Sequence, residues 1–194
     1  MPAELHNSFP LRRARVHEVC GAADMNFAAI AAPMHGPLLW IRENWHCDTL
    51  NPFGLMPFLD PSRLLLARPN NQTDGLAVAE EALKDGAFPF VVIAITRPLN
   101  LREGRRLQLA AKAGGTTGLC LIPDGMGSNA VETRWNVTPI FDPGREDSTL
   151  MRWEIIKNKS GTLGAWNVQW DQQTDRVHVV SPAGERPGSA HAPG

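Results

Sequence analysis

The chain has 194 residues, which is enough for one domain with a sizeable hydrophobic core. Its formal net charge of −1 excludes a strong overall electrostatic attraction to nucleic acid or to a membrane surface. No apolar run reaches the roughly 20 residues that a membrane-spanning helix needs, and the first residues lack the apolar region of a signal peptide. We therefore expect a cytoplasmic protein without a membrane partner. Its three cysteines, Cys20, Cys47 and Cys120, are expected to be free thiols, with two buried in strands.

The first two thirds of the chain alternate apolar runs with helical patterns. After a loose lead-in at residues 1–13, strands are predicted at 15–20, 37–41, 63–67, 90–95 and 119–122. Helices are predicted at 22–33, at 74–83 with Asp74 as N-cap, and at 101–113 with Asn100 and Glu103 as a capping box. Strands that are apolar throughout and alternate with helices indicate a parallel, doubly wound α/β sheet.

The pattern changes after Pro123. Residues 135–140, 152–157, 165–170 and 176–180 alternate polar and apolar side chains, which is typical of half-exposed antiparallel strands. Ser160-Gly161 has the composition of a turn between two of them. Residues 181–194 are rich in Pro, Gly, Ser and Ala and are predicted to form a disordered tail. The folded domain is therefore expected to span 14–180.

The first strand and helix have the layout of a phosphate-binding loop but lack its chemistry. In the pattern G-x-x-x-x-G-K-[ST], backbone N–H groups and a lysine hold phosphate at a helix N-terminus. Counting from Gly21, the second glycine falls on Asn26, the lysine on Phe27 and the hydroxyl residue on Ala28. Phe27 cannot neutralise a phosphate and Ala28 cannot hold Mg²⁺. The sequence therefore predicts a fold of the ATPase type that has lost its reaction.

The order of elements over residues 16–171 resembles the RecA core, with its strand–glycine–helix start, parallel sheet and antiparallel extension. Two short motifs resemble RecA more specifically. Ser128-Asn129-Ala130 is similar to the Gly-Asn-Ala segment after the second DNA-binding loop, and Ile156-Lys157-Asn158-Lys159 is similar to a Val-Lys-Asn-Lys run. The resemblance implies a RecA-like fold.

Within that superfamily the chain resembles ImuA, a RecA-like accessory protein of bacterial inducible mutagenesis. The motifs that carry this resemblance are Val16-His17-Glu18, residues 51–55, 60–66, 79–83 and 104–111, and Thr133-Arg134-Trp135. The resemblance implies a cytoplasmic role in the SOS response to DNA damage. It also implies an ImuB-type Y-family polymerase homologue and a second, error-prone replicative polymerase subunit as partners.

The departures from RecA concern catalysis. A hydrolytic site needs an acidic residue at the end of the fourth strand to organise Mg²⁺ and water, and Val92–Thr96 contains neither Asp nor Glu. Glu43 follows the second strand, near the place of the catalytic glutamate of RecA. Asp124-Gly125-Met126-Gly127 is very short for a DNA-binding loop. We therefore expect a non-enzymatic adaptor without a cofactor. The alternative is a SulA-like cell-division inhibitor that acts on FtsZ, which resembles the same core without a phosphate-binding loop.

Four residues are predicted to contact partners. In RecA filaments the lysines of the Lys-Asn-Lys run reach the neighbouring subunit's ATP, so the resemblance implies that Lys157 and Lys159 dock on a RecA filament. Otherwise they are exposed residues beside a turn. Trp166 and Trp170 lie an even number of residues apart, hence on one face of their strand. Tryptophan is favoured both in cores and in interface hot spots, so this face covers either the sheet core or a partner.

Two further clusters of polar residues each have a functional and a structural interpretation. Arg102, Arg105 and Arg106 form a basic first turn of a helix that either grips DNA phosphates or is a solvated face paired with Glu103. A zinc site from the His17–Cys20 segment and His46-Cys47 is rejected, because alternation places His17 and Cys20 on opposite faces of a strand.

Overall fold

The computed structural model describes residues 4–33, 36–46, 50–144 and 148–182. The helices are Asp24–Ala31 (α1), Pro52–Leu55 (α2), Gln72–Asp85 (α3) and Leu101–Gly114 (α4). The first five strands are Val16–Cys20 (β1), Leu38–Ile41 (β2), Leu64–Ala67 (β3), Phe90–Ala94 (β4) and Thr117–Leu121 (β5). The other four are Thr133–Pro139 (β6), Met151–Asn158 (β7), Gly164–Asp171 (β8) and Arg176–Pro182 (β9). Short 3₁₀ turns lie at Leu5–Asn7 and Pro61–Arg63.

All nine strands form one sheet, in the order β3-β2-β4-β5-β1-β6-β7-β8-β9. The first six in this order are parallel, and β6 to β9 continue as an antiparallel meander. This confirms the predicted α/β fold with a parallel sheet and an antiparallel extension. Strands β1, β2 and β5 are buried along their whole length. The continuous apolar run of β2 predicts this burial, whereas β1 also buries the polar side chains of His17 and Glu18.

Each face of the sheet has its own hydrophobic core. Helices α3 and α4 cover one face, packing on residues such as Leu39, Ile93 and Cys120. Helix α1 covers the other face, where Phe27 lies at the centre of an aromatic cluster. Its ring centroid is 5.3 Å from that of Trp135 and 4.7 Å from that of Trp153. The indoles on the inner face of the meander therefore continue the core of the parallel sheet.

Besides shifts of one or two residues at several element ends, the structure differs from the sequence predictions in two places. The N-cap of α3 is Asn71, whose side chain accepts a hydrogen bond from the N–H of Asp74, so Asp74 lies in the first turn instead. Part of the 1–13 segment packs on the domain: Leu5 and Leu11 are buried, and the Phe9 ring lies 4.9 Å from that of Trp153. Apolar residues spaced through a polar segment gave no periodic signal from which this packing could be predicted.

The Asn100 and Glu103 capping box is confirmed, and α3 and α4 end at Gly86 and Gly115 in the left-handed conformation. Cys20 and Cys120 are buried free thiols, while Cys47 lies outside the described residues, as does most of the predicted tail. Among the described residues, no helix is both long and apolar enough to cross a bilayer.

Candidate functional site at the carboxyl edge of the parallel sheet

The loop between β1 and α1 holds the position that a phosphate-binding loop would take. Gly21 adopts φ +98°, and a Cβ atom there would lie 2.4 Å from the carbonyl oxygen of Val137. Only glycine fits this conformation and this close approach to β6. Helix α1 begins three residues later at Asp24, so Phe27 and Ala28 are its fourth and fifth residues, and both are fully buried. The side chain in the lysine position therefore belongs to the core.

Three backbone N–H groups at the start of α1 already have partners within the chain. The N–H of Ala23 donates to Val137 O at 3.1 Å, and that of Asp24 donates to Gly21 O at 3.1 Å. The N–H of Met25 donates to the Oδ1 atom of Asp24 at 2.6 Å. An anion at a helix N-terminus is held by such N–H groups. Here a carboxylate of the chain itself takes that place.

The charges around this helix start are also unfavourable for a phosphate. Burial raises the pKa of Asp24 above its usual range, and the neighbouring Asp124 raises it further. Burial, with a contribution from Asp124, raises the pKa of the Cys20 thiol to about 11. No Lys or Arg occurs in the sequence from Gly21 to Ala28. The donor set therefore does not fit a nucleoside triphosphate with its magnesium ion.

Glu43, near the place predicted for a catalytic glutamate, is buried and used as a hydrogen-bond acceptor. Its Oε2 atom accepts from the indole of Trp45 at 2.8 Å and from the hydroxyl of Thr96 at 3.0 Å. Thr96 follows β4, and the side-chain oxygen of Gln72 accepts from its backbone N–H at 2.7 Å. Glu43 therefore joins the ends of β2 and β4.

The connection from β5 to β6 is fixed by a buried ion pair. One oxygen of the Glu18 carboxylate accepts from the Ser128 N–H at 2.8 Å, and the other accepts from the Arg134 Nε at 2.7 Å. Arg134 also donates to Ser128 O at 3.1 Å, which closes a ring of three hydrogen bonds. Gly104 of α4 packs so tightly here that a Cβ atom would lie 2.4 Å from the Ser128 hydroxyl. Ser128, which follows the segment in the place of a DNA-binding loop, is therefore held against the sheet, while Asp124, Gly125 and Gly127 are exposed.

Both lysines of the Lys-Asn-Lys run contact this same connection. The Lys157 ammonium donates to Val131 O and that of Lys159 donates to Ala130 O, each at 2.6 Å. Burial, together with the nearby charges of Lys159 and Arg134, lowers the pKa of Lys157 below its usual range. The lysines hold the chain entering β6, and the structure shows a role for them that needs no partner.

The three arginines of α4 have different surroundings. Arg106 forms an ion pair with Glu80 of α3, at 2.5 Å. Glu103 pairs with Arg97, at 2.8 Å, and this pair raises the pKa of Arg97 and lowers that of Glu103. Glu103 therefore does not neutralise the α4 arginines as the solvated-face interpretation assumed. DNA contact through Arg102, Arg105 and Arg106 stays a prediction, with Arg106 the least available of the three.

Trp166 and Trp170 share one face of β8, as predicted, and that face belongs to the core. Trp166 is 4 % exposed and Trp170 is 9 % exposed, and the indole of Trp170 donates to Pro57 O at 2.9 Å. Neither indole can form a protruding hot spot. Both line a cavity, which is the route by which a partner would reach them.

Comparison with known proteins identifies the fold. No family model matches the chain, and no curated protein matches it. Among solved structures it is similar to the RadB recombinase, with a TM-score of 0.60 and 13 % identity over 87 % of this chain and 92 % of that one. The chain has a RecA-like fold. This confirms the fold that the sequence resemblance implied, while the likeness is too remote to transfer an activity.

Two carboxylates that accept hydrogen bonds at this edge of the sheet, those of Asp24 and Glu18, were not predicted from the sequence. Asp24 was available as an acidic residue in a helix N-terminal turn, a place where carboxylates are stabilised by the helix dipole. Glu18 gave a weaker signal: a carboxylate in a strand that is buried along its whole length needs a buried partner. The partner, Arg134, lies 116 residues away in sequence, and only the parallel pairing of β1 with β6 brings it close.

Proposed function

We propose that the protein is a non-catalytic adaptor of damage-induced, error-prone DNA synthesis, of the ImuA type. In this role it acts with an ImuB-type Y-family polymerase homologue and an error-prone replicative polymerase subunit. The observation that carries the proposal is the carboxylate of Asp24 at the helix N-terminus where this fold would hold phosphate. The RecA-like fold supports a link to DNA transactions, and the ImuA-like motifs support the specific pathway.

If the protein is non-catalytic, as proposed, titration calorimetry with ATP and Mg²⁺ should show no binding in the micromolar range. Without a lysine or a metal ligand, the main favourable term that remains is the helix dipole, and it contributes about 0.3–1 kcal/mol. A micromolar site requires about 8 kcal/mol. Micromolar binding, with ATP turnover that the Glu43→Ala substitution abolishes, would contradict this prediction.

The proposed adaptor role in error-prone DNA synthesis is tested in cells that lack the gene. We expect the frequency of ultraviolet-induced mutations to fall to the uninduced level and to be restored by the parent chain and by Glu43→Ala alike. Filamentous growth on overexpression, with unchanged induced mutagenesis in the deletion strain, would favour the SulA-like alternative. Restoration by the parent but not by a folded Glu43→Ala variant would indicate catalysis.

Docking on RecA filaments is the most specific part of the proposal. Pull-down with filaments formed on a non-hydrolysable ATP analogue should capture the parent chain and lose the Lys157→Ala/Lys159→Ala variant. Because both lysines donate to carbonyls of their own chain, we also expect this variant to be less stable by about 1–2 kcal/mol. Arg152→Ala is the matched control, because it removes a partly exposed cation, ion-paired with Glu154, from the strand that carries Lys157. Equal capture of the parent and the folded double variant would show that the lysines have no role in docking. If neither protein is captured, the proposal that the chain docks on RecA filaments is wrong.

A further inference from the structure

Helices α3 and α4 lie side by side on one face of the sheet, and their outer sides are exposed. Each connects two strands of the parallel sheet, so the two helices run in the same direction. Both have 14 residues. The ion pair of Glu80 with Arg106 joins them near their middles, and Gly114 lies against Leu83 and Lys84 at their carboxyl ends. The two helices are therefore level with each other along their length.

The outer side of α4 is basic and apolar. The one acid of this helix, Glu103, is paired with Arg97. Leu109 is 68 % exposed and Leu101 is 50 % exposed. The exposed cations are Arg102, Arg105, Arg106 and Lys112. Of these four, only Arg106 has an ion-paired acid among the described residues.

The outer side of α3 has the opposite charge. Asp74 accepts a hydrogen bond from the Asn71 side chain, and Asp85 accepts one from a backbone N–H. Val78 is exposed on the same side. The exposed charged residues of α3 are three acids and one cation, namely Asp74, Glu81, Asp85 and Lys84. None of the three acids has an ion-paired cation among the described residues. One chain therefore presents an acidic helix and a basic helix, parallel and level.

We propose that this face is the interface of a homodimer in which α3 of each copy packs on α4 of the other. A two-fold axis parallel to the helices gives this arrangement and leaves the levels along the helices unchanged. The inference goes beyond the proposed adaptor role and does not depend on it.

This pairing brings opposite charges together at matching levels. Glu81 would lie between Arg105 and Lys112 of the second copy, about one helical turn from each. Asp74 would lie level with Arg102 of the second copy. Each of these contacts occurs twice because of the two-fold symmetry, so both helices of each copy are engaged.

The cation of α3 does not oppose the pairing. Lys84 follows Glu80 by one turn and therefore lies on the side of α3 that faces α4 of its own chain. Asp85 lies toward the other side of α3 and would come near Lys112 of the second copy. The two outer sides therefore match in charge from the first turn of each helix to the last.

The charges also decide between a second copy and other occupants. A two-fold axis across the helices would place α3 on α3 and α4 on α4, with acid against acid and cation against cation. DNA would be attracted by the arginines of α4 but repelled by the acids of α3. A foreign protein would need an acidic and a basic helix at the same spacing and level, which a second copy has by symmetry.

The interface is small. Two packed helices of this length cover a patch of about 20 Å by 20 Å. Each partner in a standard protein–protein interface buries roughly 800 Å², about twice this area. We therefore expect a reversible dimer that forms at high protein concentration and weakens as salt screens the charges.

The test is sedimentation equilibrium of the full chain at about 10 µM to about 1 mM, where a small interface associates. We expect the parent to be in monomer–dimer equilibrium. Glu81→Lys and Arg105→Glu should each raise the dissociation constant by at least about tenfold, because each places like charges at two symmetric contacts. The Glu81→Lys/Arg105→Glu double variant restores opposite charges between the two positions. It should dimerise at least about threefold more tightly than either single variant.

Arg13→Glu is the matched control. It makes the same change of charge at an exposed arginine of the N-terminal segment, which lies with Ile30 and Trp166 on the other face of the sheet, and it should leave dimerisation unchanged. At protein concentrations where the parent is monomeric, all variants should unfold at the same urea concentration, because Glu81 and Arg105 are exposed and unpaired among the described residues.

Three results would overturn the proposal. The first is a parent that stays monomeric over the whole concentration range. The second is a dimer that neither single variant weakens, or that the double variant does not restore. The third is a monomeric parent that binds single-stranded DNA and loses this binding in Arg105→Glu, which would assign the face to nucleic acid.

Discussion

Replacing Glu18 with alanine should destabilise the protein by about 3–5 kcal/mol, the range found when one member of a buried ion pair is removed. Glu18 is fully buried, and the Arg134 side chain is 17 % exposed. Without the carboxylate, the guanidinium loses its counter-charge and the Ser128 N–H loses its acceptor. Each of these groups would be left in a poorly hydrated environment, where an unsatisfied donor costs about 1–3 kcal/mol.

The measurement is the free energy of unfolding in urea for Glu18→Ala, Arg134→Met and the Glu18→Ala/Arg134→Met pair. Removing both charges should lower the free energy of unfolding by clearly less than the sum of the two single losses, because no buried charge is then left without its partner. Arg106→Ala is the control: its pair with Glu80 is exposed, and such pairs contribute about 0–1 kcal/mol. A Glu18→Ala loss as small as that of Arg106→Ala would show that the ring around Ser128 does not hold the β5–β6 connection.

Local patterns predicted the elements of this fold because each strand and helix carries its own signal. The capping box at Asn100 and Glu103 and the left-handed glycine at Gly86 were readable from a few adjacent residues. The alternation of Trp166 and Trp170 correctly placed them on one face. That this face belongs to the core depends on α1 and the N-terminal segment, whose packing over the meander no local pattern shows.

At the candidate site, the sequence mainly predicted which phosphate-binding groups are missing. The missing lysine and hydroxyl residue were visible at Phe27 and Ala28, but what replaces phosphate binding was not. Val137 accepts from the Ala23 N–H only because β6 pairs beside β1, a contact between residues 114 positions apart. In the same way, the carbonyls that hold Lys157 and Lys159 come from a loop that precedes them by 26 and 29 residues.

Acidification should destabilise the protein through one buried imidazole. The Nε2 atom of His17 lies 3.0 Å from the carbonyl of Arg12, so we assign the proton to Nε2, which donates to it. The Nδ1 atom then accepts from the Thr133 hydroxyl at 2.7 Å, and that hydroxyl oxygen accepts from the Trp135 indole at 2.8 Å. Every donor in this chain has an acceptor, which ties the N-terminal segment to β1 and β6 with the ring neutral.

Burial lowers the pKa of His17 from 6.5 to about 4. Between these values the unfolded chain binds more protons than the folded one, so this contribution to stability is complete above pH 6.5 and is lost as the pH falls toward 4. By this linkage, the free energy of unfolding should drop by about 2 kcal/mol between pH 7 and pH 5. The exposed His6→Gln substitution should keep this loss, whereas His17→Gln should remove most of it. If His17→Gln does not fold, the NMR titration of the His17 ring in the parent decides the matter: a ring that protonates with a midpoint near pH 6.5 would contradict the prediction, because a neutral imidazole held by Thr133 and Arg12 must resist protonation to well below that pH.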